Sequence, residues 1–312
     1  MNAPLATSPN STIVRSSASC RASLWTVIRA YFAIASRIVP GLARSQAERL
    51  FTTPPRYAGR SMHPADARRE TVVAGKHSLA VWQAGPLAAR AVLLVHGWGG
   101  RGVQMGSFVA PLLARGYRVV WFDQPGHGDS GRGRVALPDF VRALEALAVT
   151  HGPFEAAIGH SLGAAALGLA MRRGIELPRV VFVSPPSSIS EHAHNFARLL
   201  GITPRIREAM RRRIERRYGV RFAEIDRIGE LEKLNVPALF VHDNDDAAIP
   251  FEHTLRLHER VPGARLIKTY GLGHYRVLRD PAVVRAIADF VGGDIDGLPT
   301  ELPVLPRPAP IY

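Results

Sequence analysis

Residues 154–166 read Phe154-Glu155-Ala156-Ala157-Ile158-Gly159-His160-Ser161-Leu162-Gly163-Ala164-Ala165-Ala166. The run Phe154–Ile158 has the apolar character of a buried strand, and the alanine-rich stretch that opens at Leu162 has that of a helix. Between them Gly159-His160-Ser161-Leu162-Gly163 spells G-x-S-x-G, with the strand before it and the helix after it. In such a sharp turn the serine backbone is strained, and a side chain at either glycine collides with the neighbouring strand or helix. The turn lifts the Ser161 hydroxyl out of the sheet and sets a helix N-terminus beside it. Free N–H groups there, the Leu162 N–H first among them, favour a developing oxyanion. Ser161 is therefore the candidate nucleophile. The bland alternative is a glycine-flanked turn with an inert serine.

Outward from this segment the chain alternates between two patterns. Apolar runs at Ala91–Val95, Arg118–Phe122, Ala156–Ile158, Val180–Val183, Ala238–Val241 and Arg265–Tyr270 are separated by helical stretches such as Phe108–Arg115, Pro138–Thr150 and Ala164–Arg173. Strands this apolar, alternating with helices, predict an α/β fold with a mostly parallel sheet covered by helices on both faces. Thr71–Val73 and Leu79–Gln83 predict a short antiparallel pair ahead of it. One long helical insertion, about Ser188–Leu234, interrupts the alternation. The first apolar run leads into His96-Gly97-Trp98-Gly99-Gly100-Arg101-Gly102, a glycine cluster that lets the backbone turn across the carboxyl edge of the sheet, where open α/β sheets hold ligands. That loop is placed to aim the Trp98 N–H at the same oxygen as the Leu162 N–H. Read alone, it is a turn.

These segments resemble the α/β-hydrolase superfamily, and more narrowly its bacterial lid-bearing esterase-, lipase- and lysophospholipase-like group. The resemblance runs from about Val72 to Val291. It rests on His96-Gly97-Trp98, on Asp123-Gln124-Pro125-Gly126-His127-Gly128-Asp129-Ser130, on the elbow, on Val241-His242-Asp243-Asn244-Asp245-Asp246-Ala247-Ala248-Ile249-Pro250, and on Gly271-Leu272-Gly273-His274. Asp243 stands where the family commonly has glycine, and Ala164 replaces a frequent third glycine of the elbow. The order Ser, Asp, His is that of the fold. The resemblance implies an α/β-hydrolase fold with a helical lid, and acyl transfer to water with no cofactor and no metal.

Such chemistry needs a base beside Ser161 and a carboxylate that holds the base's other nitrogen. Asp243, Asp245 and Asp246 compete for the second role. The family pattern selects Asp246, with Asp243 the substitute. Among the later histidines, His253 and His258 lie in a helical stretch, Phe251–Arg260, whereas His274 follows a strand and is framed by glycine, so His274 is the candidate general acid and base. His127, His192 and His194 read as turn or lid residues. His-x-His at 192 and 194 has metal-ligand character, but no third ligand motif follows it. The expected function is hydrolysis of a carboxylic ester or related acyl bond of a small-molecule substrate. The alternatives are a non-catalytic binding module on the same fold and a hydrolase of amide, thioester or C–C bonds.

The 312 residues suffice for one large domain, and 46% hydrophobic against 21% charged residues is a globular balance. A single cysteine, Cys20, excludes an internal disulfide framework and a cysteine-based metal site. The formal charge of +14 invites nucleic acid as a partner. Yet lysine occurs only at Lys76, Lys233 and Lys268, so the excess is an arginine bias along the chain, and the densest run, Arg205 to Arg221, reads as a solvated helix face. No nucleic-acid partner is expected. Residues 1–20, rich in Ser, Ala, Thr and Pro, read as loose. From Ala22 to Leu42 a stripe of Leu24, Ile28, Tyr31, Ala35, Ile38 and Leu42 predicts a helix, with Arg21, Arg29, Arg37 and Arg44 on its other side. Arg29 and Arg37 interrupt it, so it fails as a membrane span. Ala33-Ile34-Ala35 looks like a signal-cleavage site, but Arg29 sits within the segment that should be uninterrupted. The stripe is read as packed on its own domain, with peripheral membrane contact through residues 22–42 as the rival, in a cytoplasmic protein. The expected organisation is 1–60, tail and amphipathic helix; 61–187, first part of the core; 188–234, helical lid; 235–292, second part of the core; and 293–312, a Pro/Gly-rich tail on the surface.

Overall fold

The computed structural model describes residues 12–55, 63–226, 231 and 235–302, with side chains from Trp25 onward. Two compact units emerge, one built from the chain up to Phe51 together with Glu191–Arg217, the other from Thr52–Ser190 and Tyr218–Tyr312.

The second unit is organised by a sheet of nine strands among the described residues: β1 (Arg68–Ala74), β2 (His77–Ala84), β3 (Ala91–Val95), β4 (Arg118–Phe122), β5 (Phe154–His160), β6 (Arg179–Val183), β7 (Ala238–Asp243), β8 (Arg265–Thr269) and β9 (Glu301–Leu302). Their order is β1-β2-β4-β3-β5-β6-β7-β8-β9. The first two strands pair antiparallel, β2 pairs antiparallel with β4, and from there to β9 all pairings are parallel. This is the α/β-hydrolase architecture that the sequence leads one to expect. Alternate residues of each central strand feed two cores. Leu93, Val95, Val120, Phe122, Phe182 and Phe240 pack on one face with α4 (Leu137–His151) and α5 (Leu162–Arg172). Val92, Leu94, Trp121, Ile158, Val181 and Val241 pack on the other with α3 (Val109–Leu113) and, near the end of the chain, the helix Pro281–Gly292. Burial on both faces is why these strands read as unbroken apolar runs. The Pro281–Gly292 helix starts on a strong cap, because the Asp280 carboxylate accepts from Ala282 and Val283 N–H, and it stops at Gly293 with φ 101°.

Two segments differ from the sequence expectation. The C-terminal tail is not wholly a surface strand of loose chain: Glu301–Leu302 extends the sheet beside β8, with Lys268 N–H donating to Thr300 O at 2.9 Å. A two-residue edge strand is too short to leave a period in the sequence. Residues 12–20 are helical, since α1 runs Thr12–Ile38. No proline or glycine stands between Pro9 and Pro40 to break the chain, and that outweighs the modest helix propensity of its serines.

The first unit consists of α1, α2 (Pro40–Thr52), α6 (Ile189–Leu200) and α7 (Pro204–Tyr218). The step from α1 to α2 falls at Val39, where the following proline disfavours helical backbone, and Pro40 then occupies the first helical position. Phe32 and Ala35 of α1, Ala43 and Ala47 of α2, Ala193, Ala197 and Leu200 of α6, and Ile206, Met210 and Ile214 of α7 are buried. Gly201 (φ 70°) brings the turn after α6 against α1, and a Cβ there would stand 3.1 Å from Arg29 O. Glu48, fully buried, forms an ion pair with Arg213 and accepts a hydrogen bond from Arg217 Nε at 2.9 Å. The stripe read from the sequence is split by this packing. Ala35 faces inward and Ile28 is half-buried, whereas Tyr31, Ile38 (73% exposed) and Leu42 face outward with Val27 and Ile34. Leu24 lies outside the described side chains. The sequence reading passed over Phe32, whose burial turns the helix. No helix among the described residues is long and apolar enough to cross a membrane.

Candidate active site

Every residue singled out for chemistry lies in the second unit, beyond the carboxyl ends of β3, β5, β7 and β8. The strand order reverses around β3, which lies between β4 and β5, and it is at such a point that open α/β sheets hold ligands. Ser161 follows β5 with φ 51°, ψ −126° and is the first residue before α5. It is one of two described non-glycine residues in the left-handed region, the other being Ser184. Such strain persists only where the surroundings impose it. Here Ser161 N–H donates to Val183 O at 2.9 Å, while its carbonyl accepts from Ala164 and Ala165. The glycines are required on both sides. A Cβ at Gly159 would stand 2.6–2.7 Å from Leu167 Cδ1 and Ala164 Cα, and one at Gly163 would stand 2.4 Å from His96 O. The first N–H groups of α5, Leu162 among them, have no acceptor within the helix.

The loop after β3 lies against this turn. A Cβ at Gly97 would sit 2.8 Å from Ser161 Cβ and 3.0 Å from His160 O, so the loop that carries Trp98 runs close against Ser161. Two histidines hold the loop. His96 Nε2 accepts from Gln124 N–H at 2.9 Å, and its Nδ1–H donates to Gly97 O at 2.7 Å. His127 Nε2 accepts from Gly99 N–H at 3.0 Å, and its Nδ1–H donates to Pro125 O at 2.9 Å. Each ring works as a neutral donor–acceptor. Burial pushes His96 down to about 4, and burial with the nearby His96 ring pushes His127 down to about 3. The Asp123 carboxylate accepts from Gly102 and Asp129 N–H, both at 2.7 Å, and ties the loops after β3 and β4 together. His127 is thus more than a turn residue.

The three competing aspartates have separate duties. Asp246 Oδ1 accepts from Ala248 and Ile249 N–H at 2.8 and 2.9 Å, and its Oδ2 meets His274 Nδ1 at 2.6 Å. Burial opposes ionisation of Asp246, but His242 (Nε2 at 3.4 Å), His274 and the Ile249 N–H outweigh it, and the carboxyl is held well below the usual range. Asp243 instead accepts from Thr269 Oγ1, Leu272 N–H and Asp245 N–H at 2.7, 2.9 and 3.0 Å. Asp245 accepts from Gly271 N–H at 2.8 Å. Both anchor the glycine-rich turn that delivers His274, which lies in the short helix Gly273–Arg276, with Gly271 and Gly273 before it at φ 69° and 65°. His160, next to Ser161, donates from Nε2 to His274 O at 2.9 Å, with ring centroids 4.6 Å apart. Burial, with His274 adjacent, pushes His160 down to about 3. The structure therefore joins Asp246 directly to His274, and ties the His274 backbone to the residue before Ser161. His253 bonds Ser187, and His194 accepts from Arg207 at 2.7 Å. Sequence reasoning missed the positioning roles of His96, His127, His160 and Asp243.

The sequence profile of the alpha/beta hydrolase family matches residues 92–287. The chain belongs to that family. A lysophosphatidylserine lipase of Xenopus tropicalis is 27% identical over 206 residues, 58% of this chain and 51% of the relative, so the chain spans about half the length of that curated protein. Among solved structures, a monoacylglycerol lipase of Paleococcus ferrophilus superposes with TM-score 0.55 at 24% identity, covering 70% of this chain and 99% of its own. The esterase RhEst1 from Rhodococcus sp. ECU1013 gives 0.54 at 19% identity, covering 72% and 98%. These likenesses concern the fold.

Proposed function

We propose that this hydrolase cleaves carboxylic esters of small molecules through an acyl-enzyme on Ser161. The observation that carries the reading is the 2.6 Å contact between an ionised, buried Asp246 and His274 Nδ1. It fixes the tautomer that leaves His274 Nε2 as a base and stabilises the imidazolium once formed. In the first half-reaction Ser161 Oγ attacks the ester carbonyl and its proton passes to His274 Nε2. Charge gathers on the carbonyl oxygen, facing the N–H groups of Leu162 and Trp98. His274 then gives its proton to the departing alkoxide, which leaves as alcohol. Water, deprotonated by His274, attacks the acyl-enzyme in the second half, and release of the acid restores Ser161. Asp246 keeps its charge throughout. Esters are preferred because the relatives' names point to acyl esters, two of them of lipids.

A fluorophosphonate probe tests the nucleophile, and p-nitrophenyl esters of graded chain length test the bond. The wild-type protein is expected to label once, at Ser161, and Ser161→Ala to lose the adduct while melting normally. An adduct mapping to another residue would overturn the first half of the proposal, and failure of the unmodified, probe-reactive protein to turn over any of the esters would overturn the second.

A further inference from the structure

The helical unit carries an excess of positive charge that its own carboxylates do not cancel. The helix α7 holds seven arginines against Glu208 and Glu215. Most find partners. Arg213 and Arg217 meet the buried Glu48, Arg211 meets Glu208 and Glu215, Arg212 shares Glu208, and Arg207 donates to His194. Among the described residues Arg205 and Arg216 have no such partner, and neither does Arg44 on α2, whose Nε is buried without a hydrogen bond. These three are not scattered. Spacings of four, three and four residues put Arg205, Ala209, Arg212 and Arg216 on one face of α7. They line, with Arg44 and Glu208, one cavity of about 370 Å³.

A face of solvated arginines spreads its guanidinium groups apart, as like charges prefer. Here four converge across two helices on one concavity, and the single carboxylate in it is already committed. The Arg211 hydrogen bond, working against a smaller loss of hydration, holds Glu208 down to about 2, so that carboxylate stays ionised and paired. Converging guanidinium groups with one committed carboxylate leave this concavity strongly positive. Several guanidinium forks suit a group with two or three terminal oxygens at tetrahedral angles better than a planar carboxylate, which one fork satisfies. We propose that this pocket binds the phosphate group of a phosphate ester. Arg205 and Arg216 provide the exposed forks and Arg44 a half-buried one. The rest of the cavity has room for the start of the organic part. Both a soluble phosphate monoester and the headgroup of an anionic phospholipid present this chemistry.

The test uses the full chain, with Arg205→Gln/Arg216→Gln as the pocket variant and Arg37→Gln/Arg49→Gln as the charge-matched control. Titration calorimetry with inorganic phosphate and glycerol 3-phosphate reads the soluble source. Co-sedimentation with phosphatidylcholine vesicles, with and without phosphatidic acid, reads the lipid source. In at least one arm the wild type binds, the pocket variant weakens by about tenfold or more, and the control loses less than about threefold. Ser161→Ala binds as the wild type, so failure of the hydrolase reading leaves this one standing. The proposal falls if phosphate compounds and acidic vesicles are both ignored, or if the control loses as much as the pocket variant. Retention of duplex DNA alone would likewise overturn it.

Discussion

Replacing Asp246 by Asn keeps an oxygen for the Ala248 and Ile249 N–H groups but removes the charge facing His274 Nδ1. On the proposed mechanism the expected result is a fall in turnover of about 10⁴-fold with the fold retained, as when an amide replaces the carboxylate that orients a catalytic histidine. Asp243→Asn is expected to do the reverse. One amide oxygen cannot serve Thr269, Leu272 and Asp245 together, so about 1–3 kcal/mol of stability is lost while turnover drops far less. Steady-state kinetics beside urea melts of the two variants separates these outcomes, and an inverted pattern would exchange the roles of the two aspartates. That Ser161, Asp246 and His274 lie just past strand ends was legible because each sits in a short motif there. His96, His127 and His160 were not, since their partners are backbone atoms from distant loops and no spacing along the chain encodes such a meeting.

At the scale of elements, legibility followed periodicity. The strands from β3 to β8 announce themselves because both faces of the sheet are covered, and a continuous apolar run bounded by turn residues has few other readings. The N-terminal helix is harder. Its residues from Val27 to Ile38 carry two apolar stripes side by side, one buried and one exposed, and the sequence reading took a line between them. The two stripes make opposite predictions. Phe32→Ala removes a ring with 2% exposure and is expected to cost about 3–5 kcal/mol. Ile38→Ser, on the outward side, is expected to change stability by less than about 0.5 kcal/mol. Hydrogen exchange of α1 and α2 in the two variants reads the difference, and equal protection in both would show that the inward face is misassigned.

At the scale of the molecule, the buried rings near the site set its tolerance of acid. His96, His127 and His160 have folded pKa values of about 4, 3 and 3, below the ordinary 6.5. Below 6.5 the unfolded chain therefore binds protons that the folded one refuses, and stability falls as pH drops through this window toward the folded values. By pH 5 each ring removes up to about 2 kcal/mol. Unfolding at pH 5 should take up about three protons from these rings, with the depressed His63 and His151 adding to it. Calorimetry in two buffers of different ionisation heat measures that uptake, and a value near zero would contradict the buried neutral rings. Asp246 adds its own sensitivity only lower down, because its depressed pKa stabilises the fold above the ordinary 3.8 and loses that effect below it.

The helical unit is assembled from two separate pieces of chain, and the ribosome delivers them far apart. Between Phe51 and Glu191 lie 139 residues, which at about 5–20 residues per second occupy roughly 7–28 s of synthesis. Throughout that interval the inward faces of α1 and α2, Phe32 and Ala43 among them, have emerged while Met210 and Ile214 do not yet exist. Helices α1 and α2 are thus obliged to wait for their partners. A nascent chain halted before Glu191 should be open to proteolysis between Trp25 and Phe51, and one released after Tyr218 should be protected there.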